Sequence, residues 1–166
     1  MKAVIQRVLD ASVSVEGVVK GEIKSGLLVY LGVANDDNES DADWLAEKIA
    51  YLRIFNDEDG KMNLSLKDLY ETDKSAGKSA GKFASVLIIS QFTLLGDARK
   101  GRRPSWDKAA PPEKAKLLYE YFIDSILKHG LICENGEFQA HMKVKYTNDG
   151  PVTILLDTKE SISIKQ

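Results

Sequence analysis

Phe83-Ala84-Ser85-Val86-Leu87-Ile88-Ile89-Ser90-Gln91-Phe92-Thr93-Leu94-Leu95 runs directly into Gly96-Asp97-Ala98-Arg99-Lys100-Gly101-Arg102-Arg103-Pro104-Ser105-Trp106. Val86 to Ile89 is an unbroken apolar run, rich in β-branched residues and of strand length, which predicts a central strand buried on both faces. Polar residues begin where the run ends. If the extended backbone continues, its period of two sets Gln91 and Thr93 on one face and Ser90 and Phe92 on the other. An amide and a hydroxyl would then stand side by side, next to a loop with four cations in five positions: Arg99, Lys100, Arg102 and Arg103. Such an arrangement suits an anionic substrate held near a hydrogen-bonding site.

Outward from this stretch the chain reads as many strands and few helices. Upstream, Ala3 to Leu9 and Ser12 to Val15 predict strands, with Glu16-Gly17 as a two-residue turn into Val18-Val19 and Ile23 closing the ribbon. Gly26 to Val33 is a second buried strand, ending in an acidic loop, Asn35 to Glu39. Ser40 and Asp43 form a capping-box pattern ahead of Leu45, Ile49 and Leu52, which predicts a helix over 41–52. Asn56 to Gly60 is a turn. Residues 73–82 contain Ser-Ala-Gly-Lys twice and read as a flexible surface loop. Downstream, Pro111-Pro112-Glu113 starts a helix whose stripe is Ala115, Leu118, Phe122 and Ile126, with Gly130 placed to stop it. Met142 to Thr147 and Val152 to Leu156 predict a closing pair of strands around the turn Asn148-Asp149-Gly150-Pro151. The order is not a strict alternation, so the expected class is α+β: one domain over residues 1–166, with a curved, barrel-like β-sheet packed with two main helices.

Composition removes several functions. With 166 residues, 43% of them hydrophobic, the chain can bury one core, and its net charge of −2 lacks the bulk-basic signature of many nucleic-acid binders. One cysteine, Cys133, excludes an internal disulfide and fits a reducing compartment. The N-terminal apolar run is too short for a signal peptide and no stretch is long enough for a membrane span, so a cytoplasmic protein without membrane association is expected. Gly77-Lys78-Ser79 resembles the tail of a phosphate-cradling loop, but Thr72 stands where the first glycine belongs and no apolar strand feeds it. His129 and His141 share no ligand spacing with Cys133, so neither a metal nor another cofactor is expected. A Cys-His nucleophile pair stays open by spacing, although Leu131-Ile132-Cys133 suits a buried, inert thiol. No Gly-x-Ser-x-Gly elbow and no dinucleotide fingerprint occur.

Ser90-Gln91-Phe92-Thr93-Leu94 together with Asn148-Asp149-Gly150-Pro151-Val152-Thr153 resembles the two signature motifs of the D-aminoacyl-tRNA deacylases, and the opening Val4-Ile5-Gln6-Arg7-Val8 is similar too. The likeness runs nearly end to end. It implies hydrolysis of the ester that joins a D-amino acid to tRNA, with Ser90, Gln91, Phe92 and Thr93 as the catalytic segment. It also implies that Gly150-Pro151 is cis and reaches into the partner's site in a homodimer, where its backbone rejects L substrates. Arg7 would hold that turn, Asn148 belongs to the same motif, and Phe138 and Met142 would line the pocket of the terminal adenine. Backbone N–H groups near Phe92 and Thr93 could face an oxyanion. Nothing in the sequence activates the Thr93 hydroxyl, which favours water as the attacking group. Arg99, Lys100, Arg102 and Arg103 could then neutralise phosphates of an aminoacylated tRNA. Two other readings stay open: a non-catalytic nucleic-acid-binding module that uses the same loop, and an unrelated hydrolase or structural dimer on the same fold.

Overall fold

Strand β1 (Lys2–Val15) is the spine of the sheet. The computed structural model describes residues 1–75 and 84–162. Glu16 and Gly17 both have positive φ (51° and 84°), the geometry of a tight hairpin turn, and lead into β2 (Val18–Ile23) with Val15 paired to Val18. β3 (Gly26–Gly32) returns along the first half of β1. The two strands predicted in the first 15 residues are thus one strand, because β1 stays paired through irregularities near Val8 and Val13.

Helix α1 (Glu39–Ala50) begins two residues earlier than the sequence predicts. Its capping box is Asn38 with Asp41, not Ser40 with Asp43. The Asn38 carboxamide oxygen accepts from the Ser40 amide at 2.9 Å, and the Asp41 carboxylate accepts from the Asn38 amide at 3.0 Å. Asp43, freed from capping, accepts from Tyr121 and Ser125 across the helix pair. A short hairpin of β4 (Phe55–Asn56) and β5 (Met62–Leu64) encloses the expected turn at 56–60. Helix α2 (Leu66–Ser75) was not anticipated. It takes in residues 73–75 of the segment read as a loop; the remainder of that segment lies outside the described residues.

The central run forms β6 (Ser85–Ser90), parallel to β3, and sorts as a doubly buried strand must. Val86 and Ile88 point into one apolar cluster while Leu87 and Ile89 point into a second. The first cluster joins Ala3, Ile5, Leu27 and Val29 to α1 and to α3 (Pro112–Lys128), whose Leu118, Phe122 and Ile126 are buried as the stripe predicts. Gly130 has φ +76°, just beyond the α3 cap residue His129. The second cluster, with Val8, Ala11, Val13, Ile23 and Leu28, fills the inside of the curved sheet. Each fully buried aliphatic side chain contributes about 1.5–3 kcal/mol relative to exposure.

β7 (Ile132–Asn135) pairs with β6, and β8 (Met142–Asp157) lies along nearly all of β1. The predicted closing pair is therefore a single strand. Its turn residues form a bulge where the β1–β8 register shifts on either side of Val8. The short α4 (Thr158–Ile162) follows. The sheet order is β2-β1-β3-β6-β7, with β8 on β1 and β2 packed back towards β6 and β7, so the sheet is a nearly closed barrel. The fold is α+β. Among the described residues no helix is long and apolar enough to cross a membrane.

Candidate active site

At the C-terminal end of β6 the backbone abandons the extended form. Gln91 (φ −145°, ψ 78°) leads into a 3₁₀ turn over Phe92–Leu95, anchored where the Gln91 amide donates to the Leu31 carbonyl at 2.7 Å. The expected alternation of Gln91 and Thr93 along a strand therefore fails after Ser90. Their side chains meet all the same, by a tighter route: the Gln91 carboxamide donates to the Thr93 hydroxyl across the turn. The 3₁₀ geometry also leaves its first amides unused. Neither the Phe92 nor the Thr93 N–H has an acceptor among the described residues.

A cleft of about 530 Å³ opens beside this turn. Ser90, Gln91 and Phe92 form one wall; Phe138, His141 and Met142 form the other; Tyr119 and Ala115 of α3 close the back. The structure thus brings Phe138 and Met142, distant in sequence, to the Ser90–Phe92 segment. Phe138 packs tilted on Tyr119, with ring centroids 5.8 Å apart, and the Tyr119 hydroxyl donates to the Ile88 carbonyl at 2.9 Å. Burial holds the Tyr119 phenol well above its ordinary range, so it stays protonated as a donor. Tyr119 was missed in the sequence, although it sits on the α3 stripe four residues after Ala115. Cys133 lies outside the cleft lining. Burial, with Glu134 nearby, pushes its thiol up to about 12, which leaves it inert at neutral pH and removes the Cys-His pair.

The β8 bulge is built by two residues on different strands. Asn148 donates from Nδ2 to the carbonyls of Arg7 and Val152, at 2.9 and 3.0 Å, and so staples both sides of the bulge. Arg7 is only 8% exposed. Its Nη1 donates to the Ile54 carbonyl at 2.6 Å and to Asn56 at 3.3 Å, while its Nε forms an ion pair with Asp149 at 2.8 Å. Between these clamps the Gly150-Pro151 peptide is cis and both residues are exposed.

The four cations occupy one exposed loop but are not equivalent. Two hydrogen bonds of 2.9 Å between Asp97 and Ser105 pinch its base. Arg99 is folded back onto Asp97, whose carboxylate that guanidinium holds well below the usual range. Lys100, Arg102 and Arg103 have no acidic partner among the described residues.

Comparison with known proteins gives these features a family. A D-aminoacyl-tRNA deacylase of Koribacter versatilis is 58% identical over 160 residues, spanning 96% of this chain and 99% of the relative. One of Thermotoga petrophila is 53% identical with the same coverage. Among solved structures, the c-Myc DNA Unwinding Element Binding Protein superposes with a TM-score of 0.80 at 37% identity, covering 95% of this chain and 98% of that one. A probable eukaryotic D-amino acid tRNA deacylase superposes at 0.75 with 16% identity, covering 94% and 98%, a likeness of fold. The D-Tyr-tRNA(Tyr) deacylase family model matches residues 4–157, which include the Ser90–Thr93 turn, the cleft wall and the Asn148–Pro151 bulge; the chain belongs to that family.

Proposed function

We propose that the chain hydrolyses the ester of D-aminoacyl-tRNA, with the Ser90–Thr93 turn as its catalytic segment. The observation that carries this reading is the pair of unused amides on Phe92 and Thr93, in the turn whose Ser90, Gln91 and Phe92 line the cleft. When water adds to the ester carbonyl, negative charge develops on the carbonyl oxygen, and two rigid N–H donors facing it stabilise that charge more than they stabilise the ground state. The ribose oxygen leaves and takes a proton from the attacking water, so the products are a free D-amino acid and tRNA. The Thr93 hydroxyl already accepts from Gln91, and no base adjoins it among the described residues. It can orient the water or the neighbouring ribose hydroxyl, and it is not set up as a nucleophile.

Phe138 and Met142 on the far wall offer a ring and a thioether to the terminal adenine. Chirality is assigned to the Gly150-Pro151 peptide, which enters the site of a second copy of the chain. Backbone there collides with an L side chain and leaves a D side chain in open space. Rejection by backbone makes no demand on the side chain's chemistry, so many D-amino acids are accepted. Lys100, Arg102 and Arg103 neutralise tRNA phosphates, so binding weakens steeply with salt.

The name of the 37% identical neighbour supports a second reading, a nucleic-acid-binding module without catalysis. The deciding experiment compares D-tyrosyl-tRNA with L-tyrosyl-tRNA, using purified protein and a chelator. Loss of the D ester alone is expected. Cleavage of neither, with tRNA still bound, gives the second reading; equal cleavage of both refutes the Gly150-Pro151 filter.

A further inference from the structure

Beside the cleft lies an aromatic pair that the hydrolytic chemistry does not use. Phe92 is 57% exposed and Trp106 40% exposed, and their rings meet edge to face with centroids 5.2 Å apart. Phe92 comes from the 3₁₀ turn and Trp106 follows the pinched base of the cationic loop, so separate backbone anchors hold the two rings. The indole is seated against Gly96. A Cβ at that position would stand 2.5 Å from Cζ3 and 3.2 Å from Cε3 of Trp106, closer than side-chain packing allows. One side of the indole is thus filled by backbone and an edge by Phe92. Part of the ring is open to water.

We propose that Trp106, framed by Phe92, is a stacking platform for an unpaired base in the single-stranded 3′ end of tRNA. The inference rests on the assignment of aminoacyl-tRNA as substrate and names a further contact for it. Leaving a large ring in water forgoes burial; because a second copy's Gly150-Pro151 bulge is assigned to the turn that carries Phe92, the base is placed on the indole of Trp106, with Phe92 as its frame. Lys100, Arg102 and Arg103, without acidic partners among the described residues, stand on the loop that ends at this platform. Exposed aromatic faces beside unpaired cations suit single-stranded nucleic acid: the rings take bases and the cations take the phosphates between them. Phe92 also lines the cleft, so a strand whose terminal nucleotide lies there passes the platform within a nucleotide or two.

The protein contains two tryptophans, Trp44 and Trp106, so a Trp44→Phe variant reports from the platform alone. Titration with uncharged tRNA is expected to quench its emission, and tRNA trimmed of its unpaired 3′ end is expected not to. In a separate assay with labelled uncharged tRNA, Trp106→Leu is expected to weaken binding about tenfold and Trp106→Phe to restore most of it. Unchanged emission with intact tRNA, equal quenching by trimmed tRNA, or full affinity in Trp106→Leu would each overturn the platform. Because uncharged tRNA carries no ester, these readouts stand apart from hydrolysis. Ester cleavage without a Trp106 response refutes the platform alone, and a Trp106 response without D-ester cleavage refutes the hydrolytic assignment alone.

Discussion

Gly150 has φ +115°, a region that L side chains rarely adopt, and the space around it is already occupied. A Cβ there would lie 2.8 Å from Val152 Cγ2, 3.0 Å from the Val152 nitrogen and 3.2 Å from Arg7 Nη2. Gly150→Ala is therefore expected to shift the bulge, costing about 1–3 kcal/mol of stability. It should also cut kcat/KM on D-tyrosyl-tRNA more than tenfold. A thermal melt and initial rates on the same preparation check both, and wild-type rates would detach Gly150 from the site. Thr93 makes the opposite kind of prediction. Its hydroxyl accepts one hydrogen bond, from Gln91, and has no adjacent base. With water as the attacking group, Thr93→Ala should retain a measurable rate, reduced about tenfold for the loss of one orienting hydrogen bond. Abolished single-turnover cleavage, together with a trapped acyl-enzyme in wild type, would instead make Thr93 the nucleophile.

At the scale of elements, the β8 bulge depends on a side chain from the opposite strand. Removing the Arg7 guanidinium leaves the Ile54 carbonyl without its donor and Asp149 without its ion pair. Asp149 is partly exposed, so the ionic part is discounted, and Arg7→Ala is expected to cost about 1–3 kcal/mol. It should also narrow the ratio of D to L cleavage rates, because the bulge is no longer clamped. Arg7→Lys keeps the charge but not the planar fork, and should recover stability better than selectivity. Unchanged selectivity in Arg7→Ala would remove Arg7 from the filter. Such elements were unequally legible in the sequence. The α3 stripe and the Val86–Ile89 run were clear because burial imposes a period on them. Helix α2 carries a short stripe of Leu66, Leu69 and Tyr70, of which only Leu66 is fully buried, and three apolar residues in one turn are easily passed over; its other signal is Ser65 with Asp68, whose reciprocal hydrogen bonds of 2.8 and 3.1 Å cap its start. The α1 cap went to Asn38 because Asn38-Glu39-Ser40-Asp41 offers the same pattern two residues earlier. The 3₁₀ turn was invisible because Ser90 to Leu95 alternates well enough to pass as strand. Gln91 and Thr93 were paired correctly, but through the wrong backbone.

At the scale of the whole molecule, β8 pairs among the described residues with β1 along one edge only, and its Leu155 is 75% exposed. A long strand with a free edge and an apolar side chain in water is a poor surface for an isolated chain. A homodimer that covers it would also let the Gly150-Pro151 bulge of one copy meet the Ser90–Thr93 turn of the other. That arrangement makes a prediction no single-chain site can satisfy. Gln91→Ala/Thr93→Ala removes the side chains proposed to orient the attacking water, Gly150→Ala damages the proposed filter, and each homodimer should keep about a tenth of the wild-type rate or less. When the two are unfolded together and refolded as a mixture, about half of the dimers are mixed. In a mixed dimer one site receives both defects and the other receives neither. Activity on D-tyrosyl-tRNA should therefore return to about a quarter of the wild-type rate per site. If each site were built within one chain, every site in the mixture would remain defective. No recovery in a sample shown by mass to contain mixed dimers would rule out the shared site, and with it the role of Gly150-Pro151 in the partner.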